Sequence, residues 1–370
     1  MPSLSERWEK IWGYIQGSPA EVVRSIAIPS EHLFHSGASQ RFEPGKQYFS
    51  VLINEMFLTH SRQWFDVYDP MALVVSEFTY GGKRTTVPFV VGPSLLEGKL
   101  QKVPGGITIT DTQVAGAHPY QGGRFAFTVV LAQVKRSSYA KRLLQVIENV
   151  ASVFPVGAAL EPHLKVAGAV MDGIESLFGM GETTTLAGHR WEYNDGFTPW
   201  LEPGFFALIN ADEMTHEAEK LSVVKGRLRH GIGEGAPSFR MEDFLLYSLC
   251  CIDNRTDIAE LPIYRMFESA LRQAASIEEG SWDRAKAALV TLYQEMLTSP
   301  DLTWEQVRMI AQSFQDRLVE AHERAKSFAV LTGDKKDVQT APRSVGITFA
   351  GPDADARLVK LREIHQLLSL

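Results

Sequence analysis

Residues 71–91 read MALVVSEFTYGGKRTTVPFVV, and this stretch decides the fold class. Two runs rich in β-branched and aromatic residues, Met71–Tyr80 and Arg84–Val91, flank Gly81-Gly82-Lys83. Adjacent glycines accept the positive φ angles of a tight primed turn, so the spacing predicts an antiparallel hairpin. Upstream, Val22–Ile28, Gln47–Leu58 and Phe65–Tyr68 have the same character. Downstream come Gly106–Thr110 and Phe125–Val134, with Gln121-Gly122-Gly123 as a further turn. Short strands at this spacing predict an antiparallel sandwich or barrel-like body.

At Ser138 the apolar period changes from two to about 3.6. Leu143, Val146, Ile147 and Val150 share one helix face, and Pro155 closes that helix. A second helix over 161–178 carries Leu164, Ala167, Met171, Ile174 and Phe178 on one side and Lys165, Asp172 and Glu175 on the other. Strands resume at Thr183–Tyr193, Phe205–Asn210, Leu221–Leu228 and Phe239–Ile252. The helical pair at about 138–178 therefore reads as an insertion or crossover within the β-rich body, with two separate β domains as the alternative.

The chain ends are helical. Leu4, Trp8, Ile11, Trp12 and Ile15 give an amphipathic helix within 1–17, stopped by Gly17-Ser18-Pro19. Pro262 opens a helix to about Ile277. Ser281 is placed to cap a second helix, which ends near Leu297. Thr303 and Gln306 form a capping box for a third, which runs to Thr332 before Gly333. The expected fold is α+β: an antiparallel β-rich body over 18–256, then a C-terminal helical bundle over 257–332 with one long helix. Residues 333–343 read as a polar linker, Ser344–Phe349 as a strand and Asp355–Leu368 as a final helix.

Composition narrows the function classes. The 370 residues carry a net charge of -7, with a pI near 5.9. That is no electrostatic basis for nucleic-acid binding, which needs clustered cations. The one basic cluster, Lys135, Arg136, Lys141 and Arg142, reads as a solvated face. Two cysteines, Cys250 and Cys251, are neighbours whose side chains diverge on a strand, which excludes an ordinary disulfide or a zinc half-site. So few cysteines fit a reducing compartment, and Met1–Gly17 lacks the unbroken apolar run of a signal peptide. The expected location is cytoplasmic.

No motif fixes a reaction. Gly226-Arg227-Leu228-Arg229-His230-Gly231-Ile232-Gly233 leads into a strand instead of a helix, so it reads as a hairpin loop and not as a phosphate cradle. Glu213-Met214-Thr215-His216 has metal-ligand spacing but no second motif, and Lys220 stands where a zincin would need histidine. Asp66-Val67-Tyr68-Asp69 offers two carboxylates beside the turn signal Asp69-Pro70. His60, His118 and His189 lie near strand ends and are the candidate bases, with Asp66, Asp111 or Asp195 as partners. The thiols of Cys250 and Cys251 read as core residues.

These observations favour a non-enzymatic scaffold, adaptor or assembly subunit that contacts a protein partner or itself. The long third helix offers Val307, Phe314, Leu318 and Phe328 as its interaction stripe. A hydrolase-type enzyme drawing on the three histidines is the first alternative. A membrane-engaging protein using the 161–178 helix is the second, not favoured because its polar face mixes charges. No cofactor and no metal are expected.

Overall fold

A computed structural model describes residues 3–16, 25–34, 41–59, 67–93, 101–103, 106–152, 159–194, 202–211 and 218–332. Its contacts divide the chain into two compact units, Met1–Asp253 and Asn254–Leu370. The described residues are α+β, with six α-helices and mainly antiparallel sheets. The linker, strand and final helix read from the sequence at 333–370 lie outside the described residues.

In the first unit the quoted stretch forms the expected hairpin. Strand β4 (Tyr68–Tyr80) pairs antiparallel with β5 (Lys83–Val91), closing at Tyr80 opposite Lys83. Gly81 and Gly82 take φ angles of +57° and +74°, as a two-residue primed turn requires. With β8 (Phe125–Lys135) and β9 (Thr183–Tyr193), these strands make a four-stranded sheet ordered β5-β4-β8-β9.

The six-stranded sheet is ordered β1-β10-β13-β3-β7-β6. Its members are β1 (Ile26–Ala27), β3 (Tyr48–Thr59), β6 (Gln101–Val103), β7 (Gly106–Pro119), β10 (Gly204–Ile209) and β13 (Phe244–Ile252). One hydrophobic cluster draws on both sheets, with Phe49, Val51 and Tyr247 from the larger and Val74, Phe127 and Val129 from the smaller. The outer face of the larger sheet packs Phe57, Ile209 and Leu246 against Leu221, Val223 and Leu228. These come from a small third sheet in which β11 (Leu221–Val224) pairs with β12 (Arg227–His230) and, in parallel, with β2 (Leu33–Phe34).

Three helices cover the outer face of the four-stranded sheet: α1 (Leu4–Gln16), α2 (Ser138–Ser152) and α3 (Leu160–Gly179). Trp8, Ile11, Trp12 and Ile15 of α1 join Ile147 of α2 and Met171, Ile174 and Leu177 of α3 on Leu73, Val75 and Val130. Alternate residues of β4 and β8 therefore face opposite cores, which explains why both strands read as nearly unbroken apolar runs. The helical pair connects β8 to its antiparallel neighbour β9.

Two sequence readings change here. Asp69-Pro70 is not a turn but the start of β4, paired opposite Val134 and Gln133. Pairing with β5 begins only at Ala72, so Pro70 has one neighbouring strand and its missing N–H breaks no ladder bond on the open side. Leu221–Leu228 is not one strand but a hairpin folded at Lys225-Gly226, whose φ angles are +51° and +71°.

The second unit contains α4 (Pro262–Ala274), α5 (Ser281–Thr298) and α6 (Trp304–Thr332). Pro262 stands in the first turn of α4, as expected. At 29 residues α6 runs about 43 Å, against roughly 20 Å for α4. Phe267 of α4 stacks on Phe314 of α6 with centroids 3.8 Å apart, and Trp282 of α5 stacks on His322 of α6 at 4.1 Å. The capping box is half formed. Thr303 Oγ1 accepts from the Gln306 amide at 3.4 Å, but the Gln306 side chain bonds both backbone groups of Arg255. Ser281 is inside α5 and donates to the Ser276 carbonyl, so it is not the cap that the sequence indicates.

Candidate functional site

The interaction stripe is divided in its exposure. Val307, Phe314 and Leu318 are buried within the second unit, whereas Phe328 is 66% exposed. Near Phe328 lies a groove of about 610 Å³ between the end of α4 and the second half of α6. Its floor is shallow because Ala275, Ala321 and Ala325 carry only methyl groups, with Leu271 beside them. Arg317, Glu320, Arg324 and Phe328 complete the lining. Residues 317, 321, 324 and 328 recur at three and four positions, hence on one helix face.

The groove is charged at one end. The Arg317 guanidinium carbon lies 4.6 Å from the centre of the Phe267 ring, itself stacked on Phe314. A cation over an aromatic face is held without neutralising its charge. Among the described residues no carboxylate pairs with Arg317, while Arg324 is paired with Glu320 one turn away. An apolar floor with an unneutralised guanidinium at its head suits an amphipathic helix bearing an acidic residue.

His322 of α6 is stacked on Trp282 of α5. Burial lowers its pKa below 6.5, the Lys326 and Lys286 charges add to this, and the Ala274 backbone and Glu323 oppose it. The neutral ring is therefore the form that α5 and α6 pack around.

Of the three candidate bases, His118 and His189 are described, and they stand on different sheets. His60 lies outside the described residues, as do Asp66, Asp195 and Glu213–His216. His118, on β7 of the larger sheet, sits between Phe49 and Phe78 at ring distances of 5.6 and 5.3 Å. His189, on β9 of the smaller sheet, packs on Trp191 at 4.7 Å. Cys250 and Cys251 are free thiols; burial raises both, and with help from Asp253 and Cys250 it pushes Cys251 to about 11. Such thiols are poor nucleophiles at neutral pH. No group of His, Cys, Asp and Glu that could hold a metal occurs among the described residues.

The remaining motifs have local roles. The glycine loop is the β11–β12 hairpin with its flank, where Arg229 donates to Ser238 at 2.7 Å. Arg136 of the basic cluster stands 3.3 Å from buried Asp69. The apolar stripe of α3 is used in packing, and no helix among the described residues is long and apolar enough to cross a membrane.

Glu55 of β3 and Glu77 of β4 are buried strand carboxylates outside the candidate set. Glu55 accepts from the Leu228 amide at 2.9 Å and pairs with Arg240 at 2.7 Å. Glu77 is held by Arg84 and Arg190. Both had a signal, an acid inside an apolar strand run, where an unpaired charge would be costly. Both carboxylates are engaged in ion pairs and so belong to the architecture.

No protein-family model, curated protein or solved structure matches this chain.

Proposed function

We propose that the protein is a non-enzymatic docking subunit whose helical unit receives an amphipathic helix from a protein partner. One observation carries this reading: a methyl-lined groove between α4 and α6, headed by an Arg317 that has no ion-pair partner among the described residues. The incoming helix would lay apolar anchors on Ala321 and Ala325 and set a carboxylate against Arg317. On this reading α4–α6 act as a small bundle that presents the groove, and the two facing sheets of the first unit act as a sandwich-like scaffold. Partner binding in the cytoplasm is part of the same proposal.

Ala325→Arg tests it. Arginine is a good helix former, and Ala325 faces the groove, so the side chain fills the site without entering the core. A photoreactive residue at Ala321, in tagged protein from its native host, should cross-link one stoichiometric partner to the groove. Ala325→Arg should weaken that partner's affinity about 30-fold, roughly 2 kcal/mol, with an unchanged helical signal. Recovery of the protein alone, or equal binding by the variant, defeats the proposal.

A further inference from the structure

Thirty-eight residues follow Thr332, and their last part carries a pattern that matches the groove. In Asp355–Leu368, the apolar residues Leu358, Leu361, Ile364 and Leu368 recur at spacings of three and four, and Asp355 stands one turn before the first. As a helix the segment would be about 20 Å long, against roughly 16 Å from Arg317 to Phe328 along α6. Phe328 lies four residues before Thr332. The intervening 333–354 could span about 70 Å if extended, ample to bring 355–368 back along α6.

We propose that residues 355–368 of the same chain occupy the groove in cis, and that a partner helix must displace them. The inference rests on the docking reading of the groove. Asp355 would meet Arg317, the one lining cation without a carboxylate among the described residues, and the leucine stripe would lie on Ala321 and Ala325. This polarity runs parallel to α6. A tethered segment of even modest intrinsic affinity competes strongly, because tethering gives an effective concentration on the order of 1 mM.

The test uses the full chain and a synthetic peptide of residues 353–370 as the probe. Leu361→Asp with Ile364→Asp in the protein removes the apolar stripe and frees the groove. The peptide should then bind the variant at least about tenfold more tightly than the wild type, read by fluorescence anisotropy. Equal affinity, a smaller difference or no binding to either overturns the inference. A second readout does not depend on that variant. A photoreactive residue at Ala325 of the wild type should cross-link to 355–368 within one chain. A cross-linked dimer, or no cross-link to this segment, also overturns it. If the partner still depends on Ala325 while the peptide fails to bind, the docking groove stands and only its cis occupant falls. Loss of both removes the docking reading as well.

Discussion

Glu77 stands between Ser76 and Phe78 in an apolar strand and is 1% exposed. A carboxylate so placed is tolerated only with charged partners and hydrogen bonds. Arg84 reaches one oxygen at 2.9 Å, and Ser5 of α1 donates to the same oxygen at 3.2 Å. Arg190 stands 2.7 Å from the other and also pairs with Glu9 and Glu192. Burial raises the pKa of Glu192, but Arg190 and Arg124 outweigh it and hold the group below its usual value. The cluster ties α1 to the sheet by polar contacts as well as by Trp8 and Trp12. Replacing Arg190 by methionine should therefore cost about 3 kcal/mol, because three carboxylates lose a shared cation. Urea unfolding followed by near-ultraviolet dichroism would read this, and an unchanged midpoint would refute it. Adding Glu77→Gln should cost less than the two single effects combined, since the sites are in contact.

At the level of elements, helix α3 meets α2 at a glycine. A Cβ built on Gly173 would stand 2.5 Å from Cγ1 and 2.7 Å from Cδ1 of Ile147, in a β-branched side chain with little rotamer freedom. Gly173→Ala should push the helices apart and destabilise the first unit by about 1–3 kcal/mol, despite the better helix propensity of alanine. Gly168→Ala on the same helix meets nothing within 4 Å and should be neutral or mildly stabilising. Thermal melts of the two variants separate the cases; equal shifts would mean that the close approach does not matter. The same pair shows what sequence patterns resolve. Periodicity located α3 within about a residue at each end, but it could not show that Gly173 rather than Gly168 faces α2. That depends on how the two helices are rotated against each other.

For the whole molecule, acid should act on the two units in different windows. His322 favours its neutral form in the folded second unit, so the unfolded state binds the proton more readily. That unit should keep its full stability above pH 6.5 and lose part of it as pH falls below this value. In the first unit, Glu192 and Glu175 have lowered pKa values, so their contributions are lost only below 4.5, the ordinary value for glutamate. Between pH 6.5 and 4.5, loss of Trp282 environment should precede loss of the first unit's tryptophan signal, and His322→Gln should remove that difference. An unchanged acid response in the variant would assign the titration elsewhere. The α+β class, the 71–91 hairpin, the helical pair and the three C-terminal helices were legible because each follows from local periodicity and turn chemistry. Sheet order, the pairing of Glu55 with Arg240 and of Glu77 with Arg190, and the start of β4 at Asp69-Pro70 were not. Those depend on which distant strand lies alongside, and local propensity carries no information about that. The groove is the sharpest case: Phe328 and Phe314 lie on one stripe in the sequence, yet α4 is too short to cover both. Tertiary packing alone decided that one is core and the other faces solvent.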